Sequence, residues 1–349
     1  MKYARLGHTG LVVSKLALGS MTFGAGEGRG PAAAIYKLDQ NGADRLVAQA
    51  LEAGVNHFNS ADIYASGESE TMLGKALGAR RGDVVISTKV GNRSAPGLIH
   101  AGLSRRHILA AAEASLKRLG TDYIDIYLAH RTDPHTPLDE TLEAFESLVR
   151  QGKVRYVGFS NWPAWLAATG VGVQARRGFE PFRAAEMYYS LVGRDVEAET
   201  APHALAAGIG LIVWSPLAGG FLSGKYTRED PTGGGGRLSG FDMIPFDRER
   251  GYGVVDALKA VAARHGATPA AVALAWLMDR PAVASVLVGA SSGEQLAGNL
   301  AAADITLTAE DLAQMDAASQ PAATYPGWFG AMVRDQAVET ALGGEVRGG

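Results

Sequence analysis

The sequence predicts a closed (β/α)8 barrel, in which eight parallel strands are surrounded by helices. Eight short runs rich in β-branched residues alternate with segments whose apolar residues recur at helical spacing. The strand runs are apolar throughout, so both faces of the sheet need cover. The predicted strands are 16–21, 57–61, 84–90, 123–130, 154–160, 184–190, 210–216 and 283–290, and the clearest helices are 43–53, 68–78, 105–119, 139–151 and 293–302. Eight such units favour closure into a barrel with its site at the carboxyl ends of the strands.

Several element boundaries carry local signals. Pro137 is followed by acidic residues, which are favourable in the first turn of a helix. Gly120 and Gly152 lie just past two predicted helices, where a left-handed residue is needed. The first 15 residues predict a hairpin around residues 8–10 that plugs the bottom of the barrel.

A doubly wound open sheet is the alternative, and its signature is a glycine fingerprint after the first strand. Glycines do follow the first strand, at strict two-residue spacing: Gly24, Gly26, Gly28 and Gly30. The third glycine of the fingerprint falls on Arg29, however, and Pro31 stands where a helix should be under way. We therefore interpret 24–42 as an irregular loop over the barrel mouth.

A second long loop, 224–250, contains four consecutive glycines, Gly233 to Gly236, which regular elements do not tolerate. Two interpretations remain open for it, a mobile lid and a disordered surface loop. The sequence shows no domain boundary, so we expect one domain over 1–349.

Composition excludes several classes of protein. The 349 residues are 47% hydrophobic and contain no cysteine, which rules out disulfides, thiolate metal sites and a cysteine nucleophile. The net charge of −3 argues against a general nucleic-acid surface. No apolar run is long enough for a membrane span, and the first ten residues lack the apolar core of a signal peptide. We expect a cytoplasmic protein without a metal.

Polar residues follow the predicted strands, at the end of the barrel where chemistry occurs. Asn59 lies near the end of the second strand and Tyr64 just after it, Lys89 lies in the third, and His130 ends the fourth. Each residue type alone is more often structural, but three on consecutive strands form a proton-transfer set. A free tyrosine is too weak an acid at neutral pH unless a nearby cation lowers its pKa, and Lys89 is that cation. His130 is placed to hold a substrate oxygen.

The sequence resembles the aldo-keto reductase superfamily, and within it a branch with bacterial reductases and potassium-channel beta subunits. The stretches that carry the resemblance span nearly the whole chain: LALGSMTFG, NHFNSADIYASGESE, VVISTKVG, YIDIYLAHRTDPHTPLDETLEAF, GKVRYVGFSNW, LIVWSPLAGGFLSGKY and VLVGASSGEQLAGN. The resemblance implies a (β/α)8 barrel that reduces an aldehyde or ketone to the alcohol, with hydride from NADPH and a proton from Tyr64. It makes Lys89 the residue that lowers the pKa of Tyr64 and His130 the residue that orients the carbonyl.

The chain departs from the family pattern at Asn59, where the resemblance implies an aspartate paired to the lysine. Asparagine keeps an acceptor for Lys89 but lacks the charge. That loss strengthens the field of Lys89 at Tyr64, whereas desolvation of an unpaired ammonium favours neutral lysine, and the net sign stays open. We expect Asn59→Asp to pair Lys89 and shift the pH dependence without loss of activity.

The resemblance also implies a nicotinamide cofactor site, with Trp214 stacked on the nicotinamide and a glycine-containing loop at the pyrophosphate. Glu186 replaces a usual glutamine and accepts from the carboxamide but does not donate to it. The implied set is Ser20, Met21, Ser160, Asn161, Glu186, Trp214, Ser215, Pro216, Leu217, Gly219, Gly220, Lys225, Arg237, Gly289, Ser291, Gln295 and Asn299.

Cofactor choice depends on the adenosine end of this implied site. Residues 289–299 contain no basic residue for a 2′-phosphate, which alone favours NADH. The potassium-channel branch supplies cations from the lid instead, and Lys225 and Arg237 match that arrangement. We therefore expect NADPH, with NADH possible.

The C-terminal segment 321–349 contains an aromatic cluster, and we predict that Trp328 or Phe329 lines the substrate pocket near the barrel mouth.

Two other functions are alternatives to carbonyl reduction. A slow nicotinamide-binding subunit that senses redox state is favoured by Asn59 and Glu186 and opposed by the retained Tyr64, Lys89 and His130. A barrel glycosidase needs two carboxylates at strand ends, and only Glu186 is well placed. The expected partner is a small carbonyl compound, neither nucleic acid nor membrane.

Overall fold

The computed structural model describes residues 1–24, 35–234, 236–240 and 242–342, and its centre is a closed barrel of eight parallel strands. Around the barrel the strands follow chain order from β3 to β10, and β10 pairs with β3 to close it. The strands are β1 (Tyr3–Arg5), β2 (Val12–Ser14), β3 (Leu16–Gly19), β4 (His57–Asn59), β5 (Val85–Val90), β6 (Ile124–Ala129), β7 (Val154–Ser160), β8 (Phe182–Tyr188), β9 (Gly210–Trp214) and β10 (Val283–Val288). The predicted fold class is confirmed, and every predicted barrel strand overlaps an observed one.

Helices connect successive strands and cover the outside of the barrel. They are α1 (Gln40–Glu52), α2 (Glu68–Leu77), α3 (Arg105–Leu119), α4 (Leu138–Arg150), α5 (Ala164–Arg177), α6 (Thr200–Ala207), α7 (Arg248–His265), α8 (Pro269–Met278), α9 (Gly293–Leu300), α10 (Ala309–Ser319), α11 (Gly327–Met332) and α12 (Gln336–Ala341). In α4, Leu142, Phe145 and Leu148 recur at helical spacing and are buried against the sheet. Each such side chain contributes about 1.5–3 kcal/mol through burial. Gly120 and Gly152 have the predicted left-handed backbone, with φ of 64° and 69°.

The N-terminal hairpin closes the bottom of the barrel, as the sequence predicts. β1 pairs antiparallel with β2. Leu6 and Val13 are fully buried and pack on the inward-facing residues of the strands, including Ile126 and Ile212. The amide of His8 donates to Gly208 O, which fixes the hairpin turn to the start of β9. The open end for chemistry is therefore the opposite one.

Helices begin inside both predicted long loops, α1 at Gln40 and α7 at Arg248. Asp39 caps α1 by accepting from the amide of Gly42, so this helix begins inside the predicted loop 24–42. Residues 25–34, with three of the four spaced glycines, lie outside the described residues. The other loop is anchored, because Tyr226 is buried and its hydroxyl accepts from the amide of Leu238. Neither interpretation of that loop is tested by this contact.

Within the described ranges, no helix has the length and apolar character that a membrane span requires. The same residues contain no cluster of histidine and carboxylate side chains suited to a metal ion.

Candidate active site

Tyr64, Lys89 and His130 meet at the carboxyl end of the barrel, because β4, β5 and β6 are neighbours in register. The Lys89 ammonium is fully buried and lies 3.4 Å from the Tyr64 hydroxyl. It donates to Asn59 Oδ1 at 2.8 Å and to Ser60 O at 2.9 Å. The rings of Tyr64 and His130 stand edge to face with centroids 6.0 Å apart. The residues singled out in the sequence are thus one cluster.

The backbone after Tyr64 turns sharply. Ala65, Ser66 and Gly67 are all left-handed, with φ of 46°, 54° and 93°. Left-handed backbone is costly for residues other than glycine, and such strain concentrates at functional sites. The turn leads directly into α2, and the Tyr64 hydroxyl before it lies 3.4 Å from Lys89 Nζ.

Glu186 supplies the negative charge that Asn59 lacks. Its Oε1 lies 3.1 Å from Lys89 Nζ, with the two side chains 3% and 0% exposed. Its Oε2 accepts from Asn59 Nδ2 at 2.7 Å. From the sequence alone Lys89 has no anionic partner, whereas the structure provides one from β8, across the barrel. Both oxygens that the resemblance reserved for the nicotinamide carboxamide contact protein groups here.

Three buried residues that the sequence argument missed extend this cluster toward the barrel floor. Asn59 Nδ2 donates to Ser87 Oγ at 2.8 Å, and Ser87 Oγ lies 2.9 Å from His57 Nε2. His57 Nδ1 lies 3.1 Å from Ser285 Oγ. Their alternation within β4, β5 and β10 was the available signal, since polar residues on inward positions of a barrel face one another.

Burial and charge set the protonation states. Burial raises the pKa of Tyr64 more than Lys89 lowers it, so the hydroxyl keeps its proton at neutral pH. Burial alone lowers the pKa of Lys89, but Glu186 and Tyr64 together outweigh it and the pKa lies above the usual value. Lys89 is therefore an ammonium. Burial, with the charges of Lys89 and Arg131, lowers the pKa of His130 to about 3, so this imidazole is neutral.

The tautomer of His130 follows from its neighbour Asn92, another residue the sequence argument missed. Arg131 Nε donates to Asn92 Oδ1 at 2.8 Å, which fixes the amide with its nitrogen toward His130. Asn92 Nδ2 lies 3.0 Å from His130 Nδ1 and is only a donor. His130 Nδ1 is therefore the acceptor, and the ring proton is on Nε2.

Asp62 is buried near this cluster but outside its hydrogen bonds. Neither carboxyl oxygen has a hydrogen-bond partner among the described residues. Burial, and then the charge of Glu70, raises the pKa of Asp62 to about 7. Asp62 does not take the place of the family aspartate beside Lys89.

The residues at the predicted nicotinamide end are linked to one another. Trp214 Nε1 donates to Asn161 Oδ1 at 2.9 Å, and Asn161 Nδ2 donates to Ser160 Oγ at 2.9 Å. The Trp214 ring is half-buried and lies 5.2 Å from that of Tyr188. Ser20 is buried and hydrogen-bonded to Ser69, in the turn that also contains Met21.

The predicted pyrophosphate loop is tightly turned beside a cation. Gly219 and Gly220 are left-handed, with φ of 68° and 97°, as are Ser215 and Ala218 in the same turn with Pro216 and Leu217. A Cβ built on Gly220 would lie 3.9 Å from Lys225 Nζ, and one built on Gly236 2.9 Å from it. The distance from position 220 is ordinary van der Waals contact, whereas a side chain at position 236 would crowd this ammonium.

The remaining predicted cofactor residues lie on two other segments. Ser291 donates from N and Oγ to Gln295 Oε1, and Asn299 Nδ2 donates to Gly289 O at 3.3 Å. These four residues form a polar surface along α9, from Ser291 just before the helix to Asn299 in its last turn. Arg237 is half-buried, and burial lowers its pKa while Tyr64 and Tyr226 act in the opposite direction.

The aromatic cluster of the C-terminal segment is exposed. Trp328 and Phe329 are 45% and 48% exposed, and their ring contacts are with each other and with Tyr325. Residues 343–349 of this segment lie outside the described residues. Lining of the substrate pocket by Trp328 or Phe329 stays a prediction.

The relatives of this (β/α)8 barrel define its class, an oxidoreductase. The chain belongs to the aldo/keto reductase family, whose family model matches residues 15–320. It is 34% identical to versiconal hemiacetal acetate reductase of Aspergillus parasiticus, over 94% of this chain and 99% of the relative. It is 36% identical to the uncharacterized oxidoreductase YrpG of Bacillus subtilis, over 90% and 95%. A probable voltage-gated potassium channel subunit beta of Arabidopsis thaliana is 36% identical, over 87% and 92%. The protein is a carbonyl oxidoreductase of a family that uses nicotinamide cofactors.

Proposed function

We propose that this protein reduces an aldehyde or ketone to the alcohol with NADPH, and that Tyr64 is the proton donor. The observation that carries the proposal is the buried Lys89 ammonium, 3.4 Å from the Tyr64 hydroxyl and paired with Glu186. A neutral tyrosine beside a fixed cation can donate its proton, because the cation stabilises the phenolate that remains.

His130 and Tyr64 act on the carbonyl oxygen in different ways. The Nε2 proton of His130 is a hydrogen-bond donor for that oxygen, and its ring faces the Tyr64 ring. The Tyr64 O–H bond breaks as the oxygen takes the proton, and Lys89 stabilises the phenolate that remains. Both groups are in place before substrate binds, so little reorganisation is needed in the transition state.

The residues present fit a nicotinamide dinucleotide. Gly236 leaves room beside the Lys225 ammonium, which suits a phosphate, and the polar surface along α9 suits an adenosine. When bound, the cofactor supplies the hydride that reaches the carbonyl carbon. Trp214, held by Asn161, offers a ring face at the nicotinamide end.

The coarse activity is tested by consumption of NADPH with 4-nitrobenzaldehyde and a panel of ketones, with NADH in parallel. Turnover with at least one carbonyl supports the proposal. Cofactor binding without turnover across the panel would favour the alternative, a redox-sensing subunit. Asn59 and Glu186 favoured that alternative in the sequence, but their mutual hydrogen bond removes the reason, since Lys89 keeps an anionic partner.

We expect NADPH to bind more tightly than NADH, because one charge-assisted contact of Lys225 or Arg237 to a 2′-phosphate is worth roughly ten- to a hundredfold. Fluorescence titration of both cofactors against wild type and Arg237→Ala tests this. The variant is expected to lose NADPH affinity while NADH affinity stays. Arg228→Ala is the matched control, because Arg228 is a cation of the same loop paired with Glu249. Equal affinities of wild type for the two cofactors would refute the preference. Equal losses of affinity for both cofactors in Arg237→Ala would show that Arg237 does not contact the 2′-phosphate.

Trp328→Ala is expected to change the ranking of bulky carbonyls with little change in melting temperature. The half-exposed ring contributes little to stability, since surface substitutions usually change it by less than about 0.5 kcal/mol. Trp165→Ala is the control, because Trp165 is 67% exposed on α5. An unchanged ranking with a lower melting temperature would make the aromatic cluster structural.

A further inference from the structure

Asn59 and Glu186 hold the Lys89 ammonium between them in the barrel interior. Lys89 donates to Asn59 Oδ1 at 2.8 Å and pairs with Glu186 Oε1 at 3.1 Å, and Asn59 Nδ2 donates to Glu186 Oε2 at 2.7 Å. All three side chains are buried. Among the described residues, Glu186 is the only carboxylate within ion-pair distance of Lys89. A buried ammonium without such a partner is strongly destabilising, so this pair is needed to keep Lys89 charged.

The direction of every hydrogen bond below this pair is fixed. Ser285 Oγ donates to Ser14 O at 2.8 Å, so it accepts from His57 Nδ1. Burial lowers the pKa of His57 to about 3, so the ring is neutral and its Nε2 carries no proton. Ser87 therefore donates to Nε2, at 2.9 Å, and accepts from Asn59 Nδ2. Among the described residues, the other acceptor near the Ser87 hydroxyl is Phe58 O, which is farther away, at 3.5 Å.

While Glu186 is a carboxylate, position 59 consequently needs a side chain that donates toward Glu186 and accepts from Lys89. The amide of Asn59 donates twice, to Ser87 and Glu186, and accepts from Lys89. A carboxylate there would lie about as close to Glu186 as the amide does, and like charges at that distance cannot both remain ionised.

We infer that Glu186 is the positioning residue that holds Lys89 under the Tyr64 hydroxyl, and that Asn59 and Glu186 are a matched amide–carboxylate pair of which neither member can be exchanged alone. The inference rests on the proposed function, because it concerns the lysine that supports proton transfer. It replaces the expectation that Asn59→Asp simply pairs with Lys89. In the structure an aspartate at position 59 would lie against the Glu186 carboxylate and be repelled by it.

The test is a four-protein cycle of wild type, Asn59→Asp, Glu186→Gln and the double variant. Glu186→Gln removes the charge and is expected to lower kcat by about 10- to 100-fold, the scale of a lost hydrogen bond to a charged group. Asn59→Asp is expected to lower kcat by a similar factor and to add an ionisation to the pH–rate profile, because two carboxylates then share a proton. The double variant again has one amide and one carboxylate, but the carboxylate is at position 59 and the amide at position 186.

The expected signature is reciprocal rescue. The double variant recovers at least about tenfold over either single variant, whereas independent losses would multiply. Its pH–rate profile loses the extra ionisation of Asn59→Asp. Cofactor affinity, measured by fluorescence, is expected to stay within a few-fold of wild type in all four proteins. The reason is that the exchanged side chains bond to protein groups and not to the cofactor. Glu113→Gln is the control, since it removes a carboxylate that pairs with Lys153 on the outer surface.

Two outcomes overturn the inference. One is a Glu186→Gln protein with wild-type kcat and pH profile, and the other is a double variant whose loss is the product of the single losses. If wild type reduces no carbonyl, the proposed function fails, and the same four proteins still test the pair through their unfolding midpoints. Asn59→Asp is expected to have a lower unfolding midpoint than wild type, and the double variant a midpoint close to that of wild type. Changes in midpoint that simply add would contradict the matched pair.

Discussion

Replacing Tyr64 by phenylalanine is expected to lower the rate of carbonyl reduction by about 100-fold or more, the usual range for a general acid. The substitution keeps the ring and its edge-to-face contact with His130, and removes only the hydroxyl 3.4 Å from Lys89. Single-turnover reduction with saturating NADPH is the measurement, since it separates chemistry from product release. Cofactor affinity is expected to stay at the wild-type value.

The pH dependence gives a second readout of the same group. Because burial raises the pKa of Tyr64, wild-type reduction is expected to stay level through neutral pH and to fall only at alkaline pH, as the hydroxyl loses its proton. The residual rate of Tyr64→Phe should lack that alkaline limb.

Tyr123→Phe is the matched control, because its ring packs under Arg81 and Arg155 away from the barrel mouth and keeps those contacts without its hydroxyl. Near-normal single-turnover reduction by Tyr64→Phe would contradict the assignment of the proton donor. A loss in Tyr123→Phe as large as that in Tyr64→Phe would show that the assay reports stability instead.

The alternation of strands and helices in the sequence was sufficient to predict the barrel, because strands buried on both faces have few other arrangements. Tyr64, Lys89 and His130 were found from the sequence because each lies at the end of a strand, where the fold itself brings them together. The partner of Lys89 was not found. Glu186 and Asn59 are 127 positions apart, and which inward side chains meet across a barrel depends on strand tilt and stagger.

A signal for that pair was nevertheless present in the sequence. Asn59 and Glu186 both depart from the family pattern, one by losing a carboxylate and the other by gaining one, and both lie at strand ends. Interpreted separately, the two departures suggested a weakened site. In the structure they are a single exchange of charge between two strands, which leaves Lys89 paired. Asn92 had no such signal, because it lies in a loop and acts through its amide orientation.

Asn92→Asp is expected to lower the rate of carbonyl reduction at pH 8 by about 100-fold, because it reverses the tautomer of His130. In wild type the Asn92 amide nitrogen donates to His130 Nδ1, and Arg131 donates to the amide oxygen. An aspartate keeps the contact to Arg131 but accepts at the histidine, so the ring proton moves to Nδ1. His130 Nε2 then presents a lone pair to the carbonyl oxygen, where the proposed function requires a donor.

The pH dependence distinguishes this mechanism from a loss of structure. In wild type the pKa of His130 is about 3, so the histidine does not titrate between pH 5 and 9 on the scale of the assay. A carboxylate at position 92 raises that pKa, because an opposite charge favours the imidazolium. Below the raised pKa both ring nitrogens carry protons and the donor at Nε2 returns. Reduction by Asn92→Asp is therefore expected to recover as the pH falls, opposite to a protein that is merely less stable in acid.

Asn92→Leu is the matched control, since it removes the hydrogen bond without favouring either tautomer. It is expected to lose about tenfold, the scale of one hydrogen bond of about 1 kcal/mol or slightly more, and to show no recovery at low pH. A kcat and pH profile of Asn92→Asp equal to those of wild type would refute control of the tautomer by Asn92. Equal profiles for the two variants would assign Asn92 only to packing, because the reversal of the donor requires the carboxylate.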